Sequence, residues 1–283
     1  MCSNKMNFGF VFTNYNNSEY TIAAVRSLRA CNTEHQYRVV VVDNNSRYES
    51  IDALRILSRE FGNIDLILNK ENVGYFKGLN VGIRHLRSNY CEVNHVIIGN
   101  NDLLFPSNYF DNLNMNLSKF NKYAVISPDI VTLDGIHQNP HVIKRIGFVR
   151  EVIYDLYYYN YYLSVTIKKF AKLTNLFTDR RDEEQYEIAQ EIYQGHGSCY
   201  ILGPIFFENY DELWAPTFLM GEEYFLSKML ADKGLNILYE PTISVTHRCH
   251  VAIDNVPNKR IWEISREAHK IYRKYVKIYG GSR

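Results

Sequence analysis

The chain has 283 residues, 46% of them hydrophobic, which is enough for one large α/β domain or two small ones. Its 32 basic and 31 acidic side chains nearly cancel, and this balance excludes nucleic-acid binding through bulk positive charge. The five cysteines are scattered without a Cys-x-x-Cys pair, and no apolar stretch approaches the roughly 20 residues of a membrane-spanning helix. These features, with a short polar N-terminus at Met1–Lys5, favour a cytoplasmic protein that meets a membrane only at its surface.

Strand and helix patterns alternate through the first part of the chain. Short apolar runs are each followed by a longer stretch in which apolar residues recur at helical spacing. Strands separated by helices in this way predict an α/β fold with a mostly parallel central sheet flanked by helices. The predicted elements are strand Phe8–Thr13, helix Glu19–Ala30 with Ser18 in the capping position, strand Arg38–Val42, helix Ser50–Phe61, strand Asp65–Leu68, helix Tyr75–Leu86 and strand Asn94–Ile98.

After Ser127 the alternation becomes less regular. Residues 151–172 are rich in tyrosine and end in lysines, a pattern that predicts one or two amphipathic helices. Residues 179–191 are charged, and we expect them to be solvated. The remaining predicted elements are an apolar strand Cys199–Phe207, a helix from about Glu222 to Lys233, a strand Asn236–Tyr239 and a basic helix Asn258–Tyr279 that ends at Gly280-Gly281.

The cluster Asn100-Asn101-Asp102 directly follows the apolar run that ends at Gly99. In an open α/β sheet, ligands bind at the carboxyl ends of the strands. A carboxylate with oxygen-bearing neighbours at such a place suits a hard divalent cation that carries phosphates. The alternative is a helix cap, because a helix could begin at Ser107 shortly after Asp102.

Two further features precede this cluster in the chain. Asp43 ends the second predicted strand, where it could accept hydrogen bonds from a base or a ribose, or close a turn with its own backbone. Gly74, Gly78 and Gly82 recur every four residues across a predicted helix start. Glycines there could let the backbone approach a phosphate, or they could permit close helix packing.

The motifs occur in a defined order along residues 7–250. They are Phe12-Thr13-Asn14-Tyr15-Asn16, Val41-Val42-Asp43-Asn44-Asn45-Ser46, Asn72-Val73-Gly74 with Asn80 and Gly82, Asn100-Asn101-Asp102, Trp214-Ala215-Pro216-Thr217-Phe218-Leu219-Met220-Gly221-Glu222-Glu223, and His247. This series resembles the inverting family 2 glycosyltransferases of the GT-A fold, in particular bacterial enzymes of O-antigen and capsule polysaccharide synthesis, including a rhamnosyltransferase-like branch. The resemblance implies a GT-A domain at residues 1–250, followed by a basic helical segment at 251–283. Within the domain it implies a nucleotide-binding half (7–127), a Tyr-rich and basic insertion on the acceptor side (128–196) and an acceptor and catalytic half (197–250).

The resemblance also implies a metal-dependent hexosyltransferase that uses a UDP- or dTDP-sugar as donor. Its site residues are carried over one at a time from the matching motifs. The residues implied in nucleotide binding are Thr13 and Tyr15 in the nucleotide pocket, Asp43 at the base, Asn72, Gly74 and Asn80 beside the ribose and diphosphate, and Asn100 and Asn101 at the ribose and the adjoining loop.

The implied metal ligands are Asp102 and His247. Asp102 stands where the family has the ligand of its Asp-x-Asp cluster, and Asn100 replaces the first aspartate of that cluster. This replacement leaves one negative charge fewer to hold a Mn²⁺ or Mg²⁺ ion. His247 matches a late histidine of the family that ligates the metal or contacts the diphosphate, and a purely structural histidine is the alternative.

The implied general base is Glu223. It replaces the aspartate of the Gly-Glu-Asp sequence in relatives, and glutamate offers the same chemistry with one more methylene. Glu222 is the fallback. Alternatively, both carboxylates only favour the positive end of the helix that starts here.

The expected acceptor is a glycan or a polyprenyl-diphosphate-linked glycan, elongated at the inner face of the cell membrane. The Tyr-rich segment and the basic tail from Lys259 to Arg283 would hold it there through aromatic rings and cationic side chains. Core or homodimer packing by the tyrosines is the alternative. Two rival functions stay open at this point, a nucleotidyltransferase and a non-catalytic nucleotide-sugar-binding partner of a polysaccharide assembly complex.

Overall fold

The computed structural model describes residues 7–31, 33, 35–174, 181–248 and 258–276. Within these ranges nine strands form one central sheet, and helices pack on both of its faces. The strands are β1 (Asn7–Asn14), β2 (Gln36–Asp43), β3 (Ile64–Leu68), β4 (His95–Asn100), β5 (Leu103–Leu104), β6 (Val125–Thr132), β7 (Gln190–Ile192), β8 (Cys199–Leu202) and β9 (Ile237–His247). The helices are α1 (Ser18–Ala30), α2 (Tyr48–Glu60), α3 (Tyr75–Asn89), α4 (Tyr109–Met115), α5 (Leu117–Phe120), α6 (Phe148–Tyr159), α7 (Tyr161–Thr174), α8 (Pro204–Asn209), α9 (Glu222–Ala231) and α10 (Asn258–Tyr272).

The strand order across the sheet is β3-β2-β1-β4-β8-β6-β9-β5, and β7 pairs with the edge of β9. The first four strands of this order are parallel, as is the pair β6 and β9, whereas β5, β7 and β8 run antiparallel to their neighbours. The predicted α/β fold class is confirmed, and its parallel part is the half that contains β1 to β4. The chain moves from β1 outward to β3 and then returns to β4 on the other side of β1. Such a reversal of strand order opens a crevice at the carboxyl ends of the strands.

Side-chain alternation along the central strands builds one core on each face of the sheet. In β1, Phe8, Phe10 and Phe12 point into one core, and Val11 points into the other. The apolar run Val39–Val42 in β2 divides in the same way, as expected for a strand that is covered on both faces. These cores hold the strand ends rigidly in register, so Thr13 lies beside both Val42 and Asn100.

Several predicted elements differ from those observed. The apolar segment that begins at Cys199 is a short strand, and helix α8 begins at Pro204 because proline suits the first turn of a helix. Strand β9 continues beyond its predicted end at Tyr239 through Pro241 to His247, with an irregularity in its pairing where proline provides no backbone donor. Helix α1 begins at Ser18 itself, so the capping position belongs to Asn17 rather than to Ser18.

The Tyr-rich segment forms two helices, α6 and α7, that meet at Asn160, whose backbone is extended. The Asn160 carboxamide oxygen accepts a hydrogen bond from Tyr162 N at 2.8 Å. Helix α10 packs on α6 and ends at Tyr272, earlier than the predicted end. The predicted stop at Gly280-Gly281 and the N-terminal stretch Met1–Lys5 lie outside the described residues. No helix in the described part of the chain is long and apolar enough to cross a membrane.

Candidate functional site

A buried hydrogen-bond network joins the ends of β1 and β2. Asp43 is fully buried, and its carboxylate accepts hydrogen bonds from Asn14 Nδ2 and Ser46 N, each at 2.8 Å. Asn14 Nδ2 also lies 3.2 Å from Ser46 Oγ. An ionised carboxylate has further acceptor positions beyond these two bonds. The predicted base-recognition residue is therefore held in one orientation with acceptor capacity to spare.

Asn101 extends this network to the end of β4. Its Nδ2 donates to Thr21 Oγ1 at 2.8 Å and to Asn17 Oδ1 at 2.9 Å, and the side chain is buried. Thr21 Oγ1 in turn donates to Asn14 Oδ1 at 2.9 Å. The Asn101 side chain thus ties β4 to helix α1, so the structure places it as a support of the strand ends.

Thr13 and Tyr15 lie at the mouth of this network. Thr13 is half-buried, and its methyl group contacts the backbone of helix α3 at Gly78. Tyr15 is 48% exposed and precedes Asn16, whose φ of 59° is a left-handed conformation that asparagine tolerates. The turn leaves the Tyr15 ring on the surface beside the strand ends, where a ligand could reach it.

Asp102 and His247 face each other at the end of β4. Asp102 Oδ1 lies 3.2 Å from His247 Nε2, and both side chains are almost completely buried. Pairing of β5 with β9 brings them together, because Leu103 lies opposite His247 and Arg248 N donates to Asp102 O at 2.9 Å. Helix α4 has Asn108 in its capping position, so Asp102 does not cap the helix that follows it.

The donor set of this pair fits a divalent cation. His247 Nδ1 lies 2.7 Å from Gln138 Oε1, which can only accept, so a neutral ring carries its proton on Nδ1 and its lone pair on Nε2. Asp102 Oδ1 is a buried acceptor to which no donor is directed within the described residues. Two acceptor atoms that converge in this way suit a shared cation, and a protonated ring would form an ion pair instead.

Asn100 lies next to Asp102 and His247. Its Nδ2 lies 3.3 Å from His247 Nε2, and its backbone N donates to Ser198 O. Within the described ranges no third His, Cys, Asp or Glu joins Asp102 and His247. Any further ligands of a cation would come from neutral protein oxygens, from water or from the phosphates of a substrate.

Gly74 allows a loop to pack closely against the start of helix α3. Its φ of 91° is left-handed, and a Cβ there would come within 2.0 Å of Phe218 O. Tyr75 N donates to that same oxygen at 3.1 Å, and Gly74 N donates to Asn72 Oδ1 at 3.0 Å. The close approach that requires glycine here is therefore to the loop before Glu222, and Asn72 shapes the turn.

Asn80 is paired with the main chain of Leu213. Its Nδ2 donates to Leu213 O at 2.8 Å, and its Oδ1 accepts from Leu213 N at 2.9 Å. Both hydrogen-bonding ends of the amide are used, and the side chain is buried. Asn80 therefore holds the segment that leads to Glu222 and Glu223. Its contact with the ribose or diphosphate stays a prediction.

Glu222 and Glu223 open helix α9 directly after Gly221, whose left-handed backbone turns the chain into the helix. Burial, and then the neighbouring Glu223 carboxylate, raises the pKa of Glu222 to about 8. Burial also raises the pKa of Glu223, and the backbone amide of Gly197 opposes this rise by stabilising the charged form. A carboxyl group with a raised pKa is a stronger base when ionised, which suits proton abstraction from a hydroxyl.

Tyr75 lies between the two sets of predicted site residues, and sequence reasoning did not single it out. Its hydroxyl donates to Gly197 O at 2.9 Å. Burial raises the pKa of the Tyr75 phenol well above its ordinary value. The neighbouring acidic groups add to this rise, namely Cys199, Glu222, Glu223 and Asp102. Contacts of the segment 197–198 connect the two sides: Ser198 O accepts from Asn100 N at 2.9 Å, and a Cβ at Gly197 would lie 2.6 Å from Glu223 Oε1.

Two loop histidines, His196 and His141, also lie beside the site, although no sequence pattern singles them out. The His196 ring lies 6.0 Å from that of His247, and the His141 ring meets His196 edge to face at 5.6 Å. Together with Gln138 they form the wall between Asp102 and His247 on one side and Glu222 and Glu223 on the other. They come from irregular loops far apart in the chain, so no spacing signal in the sequence could have grouped them.

Comparisons with known proteins identify the family and the fold of the chain. Residues 10–181 match the model of Glycosyl transferase family 2. No curated protein matches the chain significantly. Several solved structures share its fold at low sequence identity. They include residues 1–349 of S. aureus TarS in complex with UDP-GlcNAc, with a TM-score of 0.57, 12% identity, and coverage of 89% of this chain and 62% of that one.

Two further neighbours carry a metal ion. The mannosyltransferase PcManGT from Pyrobaculum calidifontis, in complex with GDP-Man and Mn²⁺, has a TM-score of 0.58, 15% identity, and coverage of 99% of this chain and 66% of that one. GalNAc-T7, with UDP, GalNAc and Mn²⁺, has a TM-score of 0.60, 12% identity, and coverage of 96% of this chain and 49% of that one. The chain therefore spans about half to two thirds of these proteins. At such identities the likeness concerns the fold, and the predicted GT-A fold is confirmed.

Proposed function

The chain belongs to glycosyl transferase family 2, and we propose that it moves a sugar from a nucleoside-diphosphate donor to a hydroxyl group of a glycan, with inversion at the anomeric carbon. The observation that carries this proposal is that the segment 197–198 contacts both sets of residues, since Ser198 O accepts from Asn100 N at 2.9 Å and Gly197 lies against the Glu223 side chain. Asp102 and His247 form a cation-type pair at the strand ends, and Glu223 offers a carboxylate with a raised pKa across from it. Inverting transfer needs one such base and one stabiliser of the leaving group.

The donor nucleotide would lie over the carboxyl ends of β1, β2 and β4. Asp43 supports this assignment because it is oriented by Asn14 and Ser46 and retains acceptor capacity for a base or a ribose hydroxyl. Tyr15 offers an exposed ring beside it. We propose a UDP- or dTDP-sugar as donor, and the UDP-GlcNAc complex of TarS shows that a protein of this fold holds such a nucleotide sugar.

Asp102 and His247 would hold a Mn²⁺ or Mg²⁺ ion. A bound divalent cation neutralises the negative charge that grows on a departing diphosphate. Gln138 keeps the His247 ring in the orientation that presents Nε2 to this position. With Asn100 in place of a second carboxylate, the protein supplies little negative charge, so we expect the ion to bind together with the nucleotide sugar.

Glu223 would act as the general base. Its carboxylate takes the proton of the acceptor hydroxyl while the hydroxyl oxygen bonds to the anomeric carbon and the bond from that carbon to the diphosphate oxygen breaks. The nucleoside diphosphate leaves from the opposite face of the sugar. The backbone amides of Glu223 itself and of Gly197 stabilise the charged form of this carboxylate and so oppose the rise in its pKa that burial causes.

The acceptor would be a lipid-linked glycan of a cell-surface polysaccharide such as capsule or O-antigen, elongated at the cytoplasmic face of the membrane. Exposed apolar side chains on α6 and α7 support surface contact with a bilayer: Val149, Leu156, Tyr159 and Tyr162 are all at least 50% exposed. Lys168 lies over the Tyr157 ring, so cationic groups flank this surface. Flotation with anionic vesicles tests this part, with a Val149→Ser, Tyr159→Ser, Tyr162→Ser variant as the control. Equal recovery of both proteins in the soluble fraction would argue against it.

The catalytic proposal is tested by incubating the chain with a panel of UDP-, dTDP- and GDP-sugars and Mn²⁺. We expect release of nucleoside diphosphate from a UDP- or dTDP-sugar, its loss on addition of EDTA, and a product of inverted anomeric configuration by proton NMR. Release of pyrophosphate from a nucleoside triphosphate would indicate a nucleotidyltransferase instead. Binding of a nucleotide sugar without turnover of any donor would indicate the non-catalytic partner.

A further inference from the structure

A cavity of about 390 Å³ lies beside Glu223, between helices α6, α9 and α10. Its walls include Tyr154 and Tyr158 from α6, Tyr224 from α9, and Ser265 and Tyr272 from α10. This volume falls within the roughly 300–1,000 Å³ of ordinary small-molecule sites. Glu223 itself lines the cavity, so a molecule bound there could present a hydroxyl to the proposed base.

Aromatic rings from three helices form one continuous wall of this cavity. The Tyr158 and His269 rings lie 4.6 Å apart at 30°, and His269 stacks on Tyr272 at 5.7 Å. Tyr224 meets Tyr272 edge to face at 4.3 Å. Such ring faces are apolar and electron-rich, so they suit the C–H face of a sugar ring, while the tyrosine hydroxyls supply polar contacts.

Ion pairs behind the wall hold α10 against α6. Arg273 Nη1 lies 2.8 Å from Glu151 Oε2, and Arg273 Nε lies 2.5 Å from Asp155 Oδ1. His269 Nε2 also lies 2.7 Å from Asp155 Oδ1. These contacts join residues more than 100 positions apart in the chain. They neutralise the carboxylates behind the wall and fix the aromatic rings that line the cavity.

The charges that face the cavity are few. None of its described lining residues is a lysine or an arginine, and the side chains able to carry a charge are Glu223, His141 and His269. Burial lowers the pKa of His269 and so disfavours the cationic form of that ring. An anionic group inside would therefore meet the Glu223 carboxylate without a guanidinium or ammonium partner, an arrangement that costs binding free energy.

We infer that this cavity binds one uncharged sugar ring of the acceptor, stacked on the aromatic wall of α6, α9 and α10, and that it rejects acidic sugars. The inference rests on the proposed glycosyltransferase activity and specifies its acceptor. Tyr158 and Tyr272 are then specificity-determining residues, and Arg273 is a positioning residue that acts through the wall.

The test uses the full chain with the donor that it hydrolyses and pairs of p-nitrophenyl glycosides that differ only in charge, such as glucosides and glucuronides of each anomer. We expect transfer to at least one neutral glycoside, and a kcat/KM about tenfold or more lower for its acidic counterpart. The variant Ser265→Arg adds a cation to the wall and should narrow this difference. Equal or better use of the acidic glycoside, or transfer to no neutral glycoside of the panel, would overturn the inference.

Side-chain variants distinguish acceptor binding in the cavity from donor hydrolysis. Tyr158→Ala should raise the acceptor KM about tenfold while donor hydrolysis stays unchanged, and Tyr158→Phe should restore most of the acceptor affinity. Tyr48→Ala is the control, because Tyr48 lies on helix α2, outside the cavity wall, and is 69% exposed. Identical acceptor KM values for Tyr158→Ala and Tyr48→Ala would overturn the inference. Absence of hydrolysis of every donor by the unmodified chain would instead overturn the proposed function.

Discussion

The proposed donor side and the proposed acceptor side of this protein are held together in different ways. On the donor side, neighbouring strands bring Asn14, Asp43 and Asn101 together, and neutral amide and hydroxyl groups form a network around one carboxylate. On the acceptor side, helices α6 and α10 are joined by Arg273, Glu151 and aromatic rings. The sheet sets the donor geometry, whereas side-chain pairs between distant segments set the acceptor geometry. The acceptor wall can therefore be altered without disturbing the strand ends.

The largest expected effect separates chemistry from donor binding. Glu223→Gln removes the proposed base while it keeps size and polarity, so kcat for transfer should fall by about 10²–10⁴. Steady-state kinetics at saturating donor measure this fall. Glu222→Gln is the matched control and should lose far less, and a larger loss in Glu222→Gln would assign the base to Glu222.

The next effect concerns the donor side alone. Asp102→Asn keeps the shape of the side chain but removes the charge that faces His247, so transfer should fall about 100-fold or more. A titration of activity with Mn²⁺ should also show a higher half-saturating concentration. Asp111→Asn, on the outer helix α4, is the control. An unchanged Mn²⁺ titration in Asp102→Asn would contradict the assignment of the metal pair.

We expect a variant of the acceptor side to lose transfer activity while it still binds the nucleotide. Arg273→Met leaves Glu151 and Asp155 without their cation, and loss of a partner in a largely buried pair costs about 3 kcal/mol of unfolding free energy. Transfer should fall while binding of the nucleotide with metal persists at a temperature where the variant is folded. Denaturant unfolding and nucleotide titration measure the two effects. Lys274→Met, an exposed neighbour, should change neither.

The smallest effect is a pH dependence of stability. The pKa of Glu222 is raised from 4.5 to about 8 in the folded state, so ionisation of this group costs stability as the pH rises from 4.5 through 8. Glu222→Gln cannot ionise and escapes this cost. Its Tm relative to the unmodified chain should rise by on the order of a few degrees at pH 9 compared with pH 5. The same difference in Tm at both pH values would show that the pKa of Glu222 is not raised.

The contrast between the two sides also explains what could be predicted from sequence. The sequence predicts strands β1 to β4 closely because each is a local apolar run, and it singles out Asp43 and Asp102 because ligands bind at strand ends in α/β sheets. It also predicts a Tyr-rich segment on the acceptor side, but it does not show the cavity, since Tyr158, Tyr224 and Tyr272 lie on helices that are far apart in the chain. Local sequence patterns show periodicity, but they do not show which faces of distant helices will pack together.

Individual residues show the same limit. The motif predicts a nucleotide contact for Asn80, and the structure shows that its amide also pairs with the backbone of Leu213. The glycine pattern predicts that a phosphate approaches Gly74, and the structure shows that the backbone of Phe218 packs against it. Residue type and spacing indicated that these positions matter, and only the packing of the loop at 213–221 showed what they contact.

The central claim is that donor and metal binding belong to the strand ends and that proton abstraction belongs to Glu223. Calorimetric titration with UDP and dTDP, with and without Mn²⁺, tests it on the unmodified chain, Asp102→Asn and Glu223→Gln. We predict metal-dependent binding of one of these nucleotides to the unmodified chain, the same Kd for Glu223→Gln, and loss of the metal dependence in Asp102→Asn. Loss of nucleotide binding in Glu223→Gln, or metal-dependent binding that persists unchanged in Asp102→Asn, would contradict this division of the site.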